Sequence, residues 1–456
     1  MKKIRLGSAT AWSRDRFEPA SELLERGNID YLCFDSMSEV TMSIAQAQKL
    51  DDANRPGYDP YLVPRMARVL KECKRKGVRI ITNSGWLDPI GAAERIVELA
   101  QELGITKLRV AAVVGGILTD RIADMGLTFI ENGEPISKSR EQIVTGEVYQ
   151  GAGGIIEALK QGADVVITTR VGDACLYLGP LAYEFGWDLN DYHKVAKGMV
   201  VGHLVECGSQ VSGGCFADPG YKDVPDLARI GNPIAEVDEE GRVIISKVPD
   251  SGGVVSVDTC IEQLLYEVQD PANYFCPDVV VDFTKVTFQQ TSDNEVEVIA
   301  NQAGKPRTPT LKALIGLSEG YLAEELVLFA GPGALSRAEA TRELLLERFK
   351  IIGLQPQEIR WDYLGINSVH REATPVSEEV PYEIVLRVAI KTRTRREAEL
   401  LGIEVDPLAV NGISGIGKWG THSPGSRIRP IVGLNSSLVP REEVPYEVVI
   451  REVEFV

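Results

Sequence analysis

A mainly parallel α/β core with inserted antiparallel hairpins, followed by a C-terminal α+β domain, is expected for this chain from three features. Short apolar β-rich runs alternate with amphipathic helical stretches up to about residue 190; strand-like pairs around polar turns follow up to about 320; a countable β-α-β-β-α-β succession then begins. With 456 residues the chain exceeds one ordinary core. The expected division is a core of 1–320, hairpin-rich over about 230–305, and a C-terminal domain of 321–456.

Taken in order, IRLGS (4–8) precedes a loop and the helical FEPASELLERG, and YLCFDS (31–36) precedes a long helical stretch. VRIITNSG (78–85) leads into DPIGAAERIVELAQELG, and KLRVAAVVGG (107–116) and ADVVITTR (163–170) repeat the theme, the latter before ACLYLGPLAYEFG. Each run ends in small or polar residues and then a helix, as strands joined by helical crossovers do. Such sheets collect functional residues at the carboxyl ends of their strands. Here those positions are Ser8, Asp35, Asn83, Gly115 and Arg170.

NPIAEVDEEGRVIISKVP (232–249) and VDFTKVTFQQTSDNEVEVIA (281–300) each divide into two strand-like halves around a polar turn, which predicts hairpins. Beyond them come a strand ELVLFAG (325–331), a helix SRAEATRELLLERF (336–349), strands IRWDYLGI (359–366) and YEIVLRVAIKT (382–392), a helix RREAELLG (395–402) and a strand IRPIVGLNSSLV (428–439). That order is ferredoxin-like, with SVHREATPVSEEVP (368–381) joining the middle strands.

Lys and Arg number 49 against 66 Asp and Glu, a net charge of −17. This argues against nucleic acid or an anionic membrane surface as a partner, although a few converging arginines can still hold a small anion. MKKIRLGSATAW lacks a continuous apolar segment, and no stretch approaches roughly 18 uncharged apolar residues. A cytoplasmic protein is expected. The seven cysteines are scattered and never form a CxxC pair, which speaks against a disulfide framework, an iron–sulfur cluster or a zinc ribbon.

The densest polar stretch is GHLVECGSQVSGGCFADPGYKD (202–223). A helix beginning near 195 sets His203 and Glu206 three residues apart on one face. Such a pair serves as a general acid and base, supplies two metal ligands, or forms a buried hydrogen-bonded couple. Cys207 and Cys215 read as structural, and SGG and FADPG as turn chemistry. TTRVGDA (168–174) puts Arg170 and Asp173 just past a buried strand, where an arginine fork meets a substrate carboxylate or an ion pair closes the loop. TNSG (82–85) offers Asn83 and Ser84 before a helix opening at Asp88 and Pro89, as an anion or carbonyl site or as a cap.

GSATAWSRDR (7–16) carries Arg14 and Arg16 but neither GxGxxG nor a Walker pattern, so its nucleotide signal is weak. GPGA (331–334) reads as a turn or an anion contact, and GTHSPGSRIRP (420–430), with His422, Ser423, Arg427 and Arg429, as a surface loop, lid or interface arm. The lack of GxSxG, HExxH and DFG lowers hydrolase, zinc-protease and kinase readings, and four histidines in all argue against a three-histidine metal site.

DRFEPASELLERGNIDYLCFD, TNSGWLDP, TTRVGDACLYLGPLAYEFGW, GHLVECGSQVSGGCFADPGYKDVP, LLYEVQDPANYFCPDVVVDF and FAGPGAL together closely resemble the acyclic terpene utilisation family, AtuA. The resemblance runs from near the start to about residue 350, and the tail with YEIVLRVAIKT and SLVPREEV resembles the family's ferredoxin-fold extension. The family takes its name from clusters that degrade citronellol and geraniol through acyl-CoA intermediates. The resemblance therefore implies branched, unsaturated acyl-CoA or carboxylate metabolism.

The expected activity is that of a lyase, a hydratase or dehydratase, on a small unsaturated or branched acid or its CoA thioester. His203, Glu206, Asp173 and Asp218 are the candidates for proton chemistry, and Arg170, Asn83, Ser84, Lys222 and Arg14 for substrate binding. Two alternatives stand beside it. One is a lyase dependent on a divalent metal held by Glu206, Asp173 and Asp218. The other is a non-catalytic acyl-CoA-binding or assembly subunit. In either case a homo-oligomer is expected.

Overall fold

The computed structural model describes residues 2–52, 54–375, 379–418 and 427–453, the side chains of residues 50, 51 and 418 aside. His422 and Ser423 lie outside the described residues, as do 376–378 of the expected connection between the middle strands of the C-terminal domain. The chain divides into two units, residues 1–316 with 434–456, and residues 317–433.

The first unit begins with β1 (Lys3–Thr10), α1 (Glu18–Arg26), β2 (Tyr31–Phe34), α2 (Thr41–Asp51), α3 (Leu62–Lys76), β3 (Arg79–Thr82) and α4 (Pro89–Glu102). It continues with β4 (Arg109–Val114), β5 (Ile143–Val148), α5 (Gly153–Lys160), β6 (Val165–Thr168), α6 (Cys175–Phe185) and α7 (Tyr192–Val205). β1, β2, β3, β6 and β4 lie side by side in that order, each parallel to the next.

Their apolar runs are continuous because both faces are covered. Leu32, Ile80, Val110, Ala112, Val165 and Ile167 pack against α1, α3 and α4, while Cys33, Ile81, Ala111, Val113 and Val166 pack against α5, α6 and α7. Helix spacing explains the covering layers: α3 buries Leu62, Met66, Val69, Leu70 and Cys73 as one stripe and stops at the left-handed Gly77. At its start, α4 has Pro89 and an Asp88 side chain that accepts the Gly91 N–H.

From β1 to β4 the crossovers use the face of α1, α3 and α4, whereas the step back from β4 to β6 uses α5 on the other. The loops after the neighbouring β3 and β6 consequently leave toward opposite faces, and the place between their carboxyl ends is where such sheets form a ligand crevice. The two loops nearly touch. The Gly85 N–H donates to the Thr168 carbonyl at 3.2 Å, and a Cβ on Gly85 would stand 2.6 Å from the same oxygen.

The middle of the chain supplies β7 (Pro233–Asp238), β8 (Val243–Lys247), α8 (Val257–Leu265), β9 (Tyr274–Phe275), β10 (Val280–Val281), β11 (Thr287–Ser292), β12 (Glu295–Ile299) and β13 (Gly304–Lys305). The pairs β7–β8 and β11–β12 are antiparallel hairpins, and they extend the main sheet outward from β1. A small separate sheet has the order β13-β10-β9.

β14 (Thr310–Ala330) begins in the first unit and continues into the second, which adds α9 (Ala334–Ile352), β15 (Glu358–Leu364), β16 (Glu383–Thr392), α10 (Arg395–Val405), α11 (Leu408–Asn411), β17 (Gly417–Lys418) and the start of β18 (Arg429–Pro440). The strand order is β15-β16-β14, with β17 and β18 both pairing β14. Ala338, Leu345 and Phe349 of α9 and Ala398 and Leu401 of α10 close one apolar face. Another face carries Arg360 and Arg387 on Asp362, each at 2.7 Å, and Lys391 on Glu319, also at 2.7 Å. A groove of about 600 Å³ lies over it.

β19 (Glu447–Glu452) pairs antiparallel with β4, from Val114 to Arg109, and completes the ten-stranded sheet. The expected tail of 321–456 thus differs from what is found, because 434–456 belongs to the first unit. RVAAVV of β4 would otherwise present a bare apolar edge, and EVVIRE supplies Val448, Val449 and Ile450 to cover it. Such pairing over some 340 residues of sequence has no local signature.

Candidate functional site

At the carboxyl ends of β2 and β3, side chains with short polar groups are locked to one another. Asn83 Nδ2 donates to Asp35 Oδ1 at 2.8 Å, and Asn83 Oδ1 accepts the Ser36 N–H at 2.8 Å. Ser84 Oγ lies 2.9 Å from Ser36 Oγ and 2.8 Å from Thr82 Oγ1. Burial pushes the Asp35 carboxyl up to about 7, against the lowering effect of the Asn83 bond and Arg170 and with help from Glu206. Trp86, in the same loop, holds a left-handed φ of 44° and packs with Met37 and Met42, so backbone strain is spent where the two loops meet.

Across the crevice, β6 ends in Thr168, Thr169 and Arg170. The Arg170 side chain is 1 % exposed, with Nη1 3.0 Å from Asp173 Oδ1 and Nη2 donating to the Tyr149 hydroxyl at 2.8 Å. Its guanidinium carbon stands 4.2 Å from the Tyr149 ring centre. Tyr149 and Glu147 arrive from the end of β5, held beside this loop by the Gly172 N–H on the Gln150 carbonyl. Both Glu147 oxygens are buried without a hydrogen-bond partner, and burial, opposed by Arg170, pushes its carboxyl up to about 8. Burial raises Asp173 as well, and the charges of Asp35, Glu206 and Glu39 add to it against the pull of Arg170.

His203 and Glu206 sit at the end of α7 as a buried pair, Nδ1 to Oε1 at 3.0 Å. Nε2 faces the Leu264 carbonyl at 3.1 Å, so it must carry hydrogen. The ring stacks on Phe283 with centroids 5.2 Å apart. Both nitrogens are therefore engaged, and the pair acts on the crevice through the Glu206 charge, which reaches Asp35 and Asp173. Gly202 lets α7 approach α6: a Cβ there would meet the Ala174 carbonyl oxygen at 2.4 Å. G202A is expected to cost about 1–3 kcal/mol by overpacking, outweighing the gain of about 1 kcal/mol from helix propensity; urea unfolding measures the balance.

The remaining expected site residues face solvent. Asp218 and Lys222 close an exposed turn on each other's backbone, and Lys222 Nζ bonds Glu262. Arg14 is exposed in the loop after β1. Among the described residues no group of three or more His, Cys, Asp or Glu side chains is placed to hold a metal ion, so Glu206, Asp173 and Asp218 do not form the expected oxygen-ligand set. The structure therefore brings Arg170, Asp173, Asn83 and Ser84 together with Asp35, and sets His203 and Glu206 behind them. Sequence reasoning missed Glu147, Tyr149 and Glu39. The first two had a signal in an acid and an aromatic that end an apolar run just before the helix-opening GAGG. The groove of the second unit includes none of these residues, and its Arg360, Arg387 and Lys391 are already paired with acids.

These features define an α/β protein with a buried polar cluster at the carboxyl ends of its parallel strands. The chain belongs to the acyclic terpene utilisation family: residues 4–450 match the family described as "Acyclic terpene utilisation family protein AtuA". Membership implies a role in acyclic terpene utilisation. No curated protein and no solved structure matches the chain. Among the described residues no helix is long and apolar enough to cross a membrane.

Proposed function

We propose that the protein is a lyase that adds or removes water at the double bond of a small unsaturated or branched acid, or of its CoA thioester, in acyclic terpene or related carboxylate catabolism. One observation carries this reading: a fully buried guanidinium faces carboxyl groups whose protonation has been moved into the neutral range, at the switch point of the sheet. In hydration, a water oxygen bonds to the β-carbon as the π electrons move onto the α-carbon and carboxyl. Asp173, whose protonated form burial favours, delivers a proton to the α-carbon. Asp35, half ionised near neutrality, takes one from the water, and Arg170 balances the enolate charge. Only water is consumed.

In this reading Asn83, Ser84 and Ser36 are positioning residues for Asp35, and His203 with Glu206 sets the local charge. The β-α-β-β-α-β order and antiparallel pairing of the second unit support a ferredoxin-like fold there.

A panel of 2-enoic acids, their 3-hydroxy hydrates and the corresponding CoA thioesters, followed by loss or gain of double-bond absorbance, tests the proposal. Turnover of at least one member is expected, with D35N lowering kcat by about a hundred-fold while its thermal unfolding stays close to that of the wild type. No change at any double bond across the panel would sink the lyase reading.

A further inference from the structure

We infer that the crevice accepts the free carboxylate of an organic acid, and that Glu39 holds that carboxylate's place from within the chain. The inference rests on the reading of the crevice as a substrate site and narrows it from acid or thioester to acid.

Glu39 comes from the loop before α2, and its side chain is 53 % exposed, yet it reaches over the buried Arg170. The Tyr149 hydroxyl donates to Glu39 Oε1 at 2.9 Å while accepting from Arg170 Nη2 at 2.8 Å. The same Glu39 oxygen stands 3.7 Å from Nη2, too far for a hydrogen bond. Lys312, 5.3 Å from the Tyr149 ring centre, adds positive charge. Although its partial burial works the other way, Arg170, the local backbone and Tyr149 hold Glu39 below the usual carboxylate range. The position is therefore built for a charged carboxylate oxygen, and Glu39 fills it loosely.

A second observation points to the same ligand. Arg170 Nε, the Thr169 hydroxyl and both Glu147 oxygens are buried without a hydrogen-bond partner, while Nη1 is paired with Asp173 at 3.0 Å. Buried polar groups of this kind are ordinarily satisfied; Asp173 sets its two oxygens 3.0 and 3.5 Å from Nη1 and Nη2, and Nε is left for a further acceptor. Glu39 offers one oxygen at long range. A carboxylate on a small molecule, free of the backbone, can approach the fork more closely and displace it. An uncharged thioester carbonyl cannot supply the charge.

Calorimetric titration of the full-length protein with 3-methylbut-2-enoate, its CoA thioester and CoA alone tests this. E39Q, which keeps an acceptor for Tyr149, is expected to bind the free acid roughly ten-fold more tightly than wild type, as follows if Glu39 holds the place about nine-tenths of the time. E39A should move in the same direction, with CoA and thioester binding unchanged in both variants. Acid affinity within two-fold of wild type in both variants overturns the inference, as does an equal gain for the thioester or no acid binding to any of the three proteins. If the acid binds in the expected pattern and is not hydrated, the carboxylate assignment stands and the lyase reading fails.

Discussion

R170M is expected to lose about 3–5 kcal/mol of folding stability together with carboxylate binding in the crevice. Methionine is an adaptable side chain that fills most of the space, so little of that loss comes from a cavity. What disappears is the charge. Asp173 lies 3.0 Å from the guanidinium, and Asp35, Glu147 and Tyr149 also feel it. Without the cation, the buried carboxyls must take up protons or stand uncompensated. R170M/D173N should therefore recover part of the loss, and a double-mutant cycle by urea unfolding reads the coupling. R170K is expected to fall between them, because one ammonium cannot reach Tyr149 and Asp173 in the two directions that a fork serves. Stability of R170M equal to wild type would mean that the crevice is not organised around this charge.

The sequence made some of this site legible and hid the rest for definable reasons. Strand ends could be read because β2, β3, β4 and β6 are apolar runs that stop at small or polar residues, so Asp35, Asn83 and Arg170 stood out by position alone. That Arg170 and Asp173 would share a loop followed from their spacing. Which loops meet could not be read: β6 inserts between β3 and β4, and only that exchange of order puts Asn83 opposite Arg170. Glu147 and Tyr149 were hidden more deeply, since β5 is outside the parallel set and pairs β14 instead. The polar stretch after α7 misled through composition. His203 and Glu206 share a face as spacing required, but the Leu264 carbonyl and the Phe283 ring that occupy the histidine come from about 60 and 80 residues further on. Asp218 and Lys222 have the chemistry of a site and the location of a turn.

Replacing Glu147 with glutamine is expected to change how stability depends on pH rather than merely how large it is. In the folded protein burial pushes this carboxyl from 4.5 to about 8, so the folded chain carries one proton more than the unfolded chain between those values. Stability from this group is fully present below pH 4.5 and is lost as pH rises toward about 8, at a slope of about 1.4 kcal/mol per pH unit. Glutamine has no proton to lose, so the stability of E147Q relative to wild type should climb across that window, by on the order of 5 kcal/mol, and level off beyond it. Asp35 drives a similar decline up to about pH 7 in both proteins, and subtraction removes it. Urea unfolding of the two proteins from pH 4 to 9 gives the difference directly. A difference that stays flat would show that Glu147 is ionised in the fold and that Arg170 outweighs its burial. The crevice would then hold a second fixed anion, and Glu39 would have far less positive charge to answer.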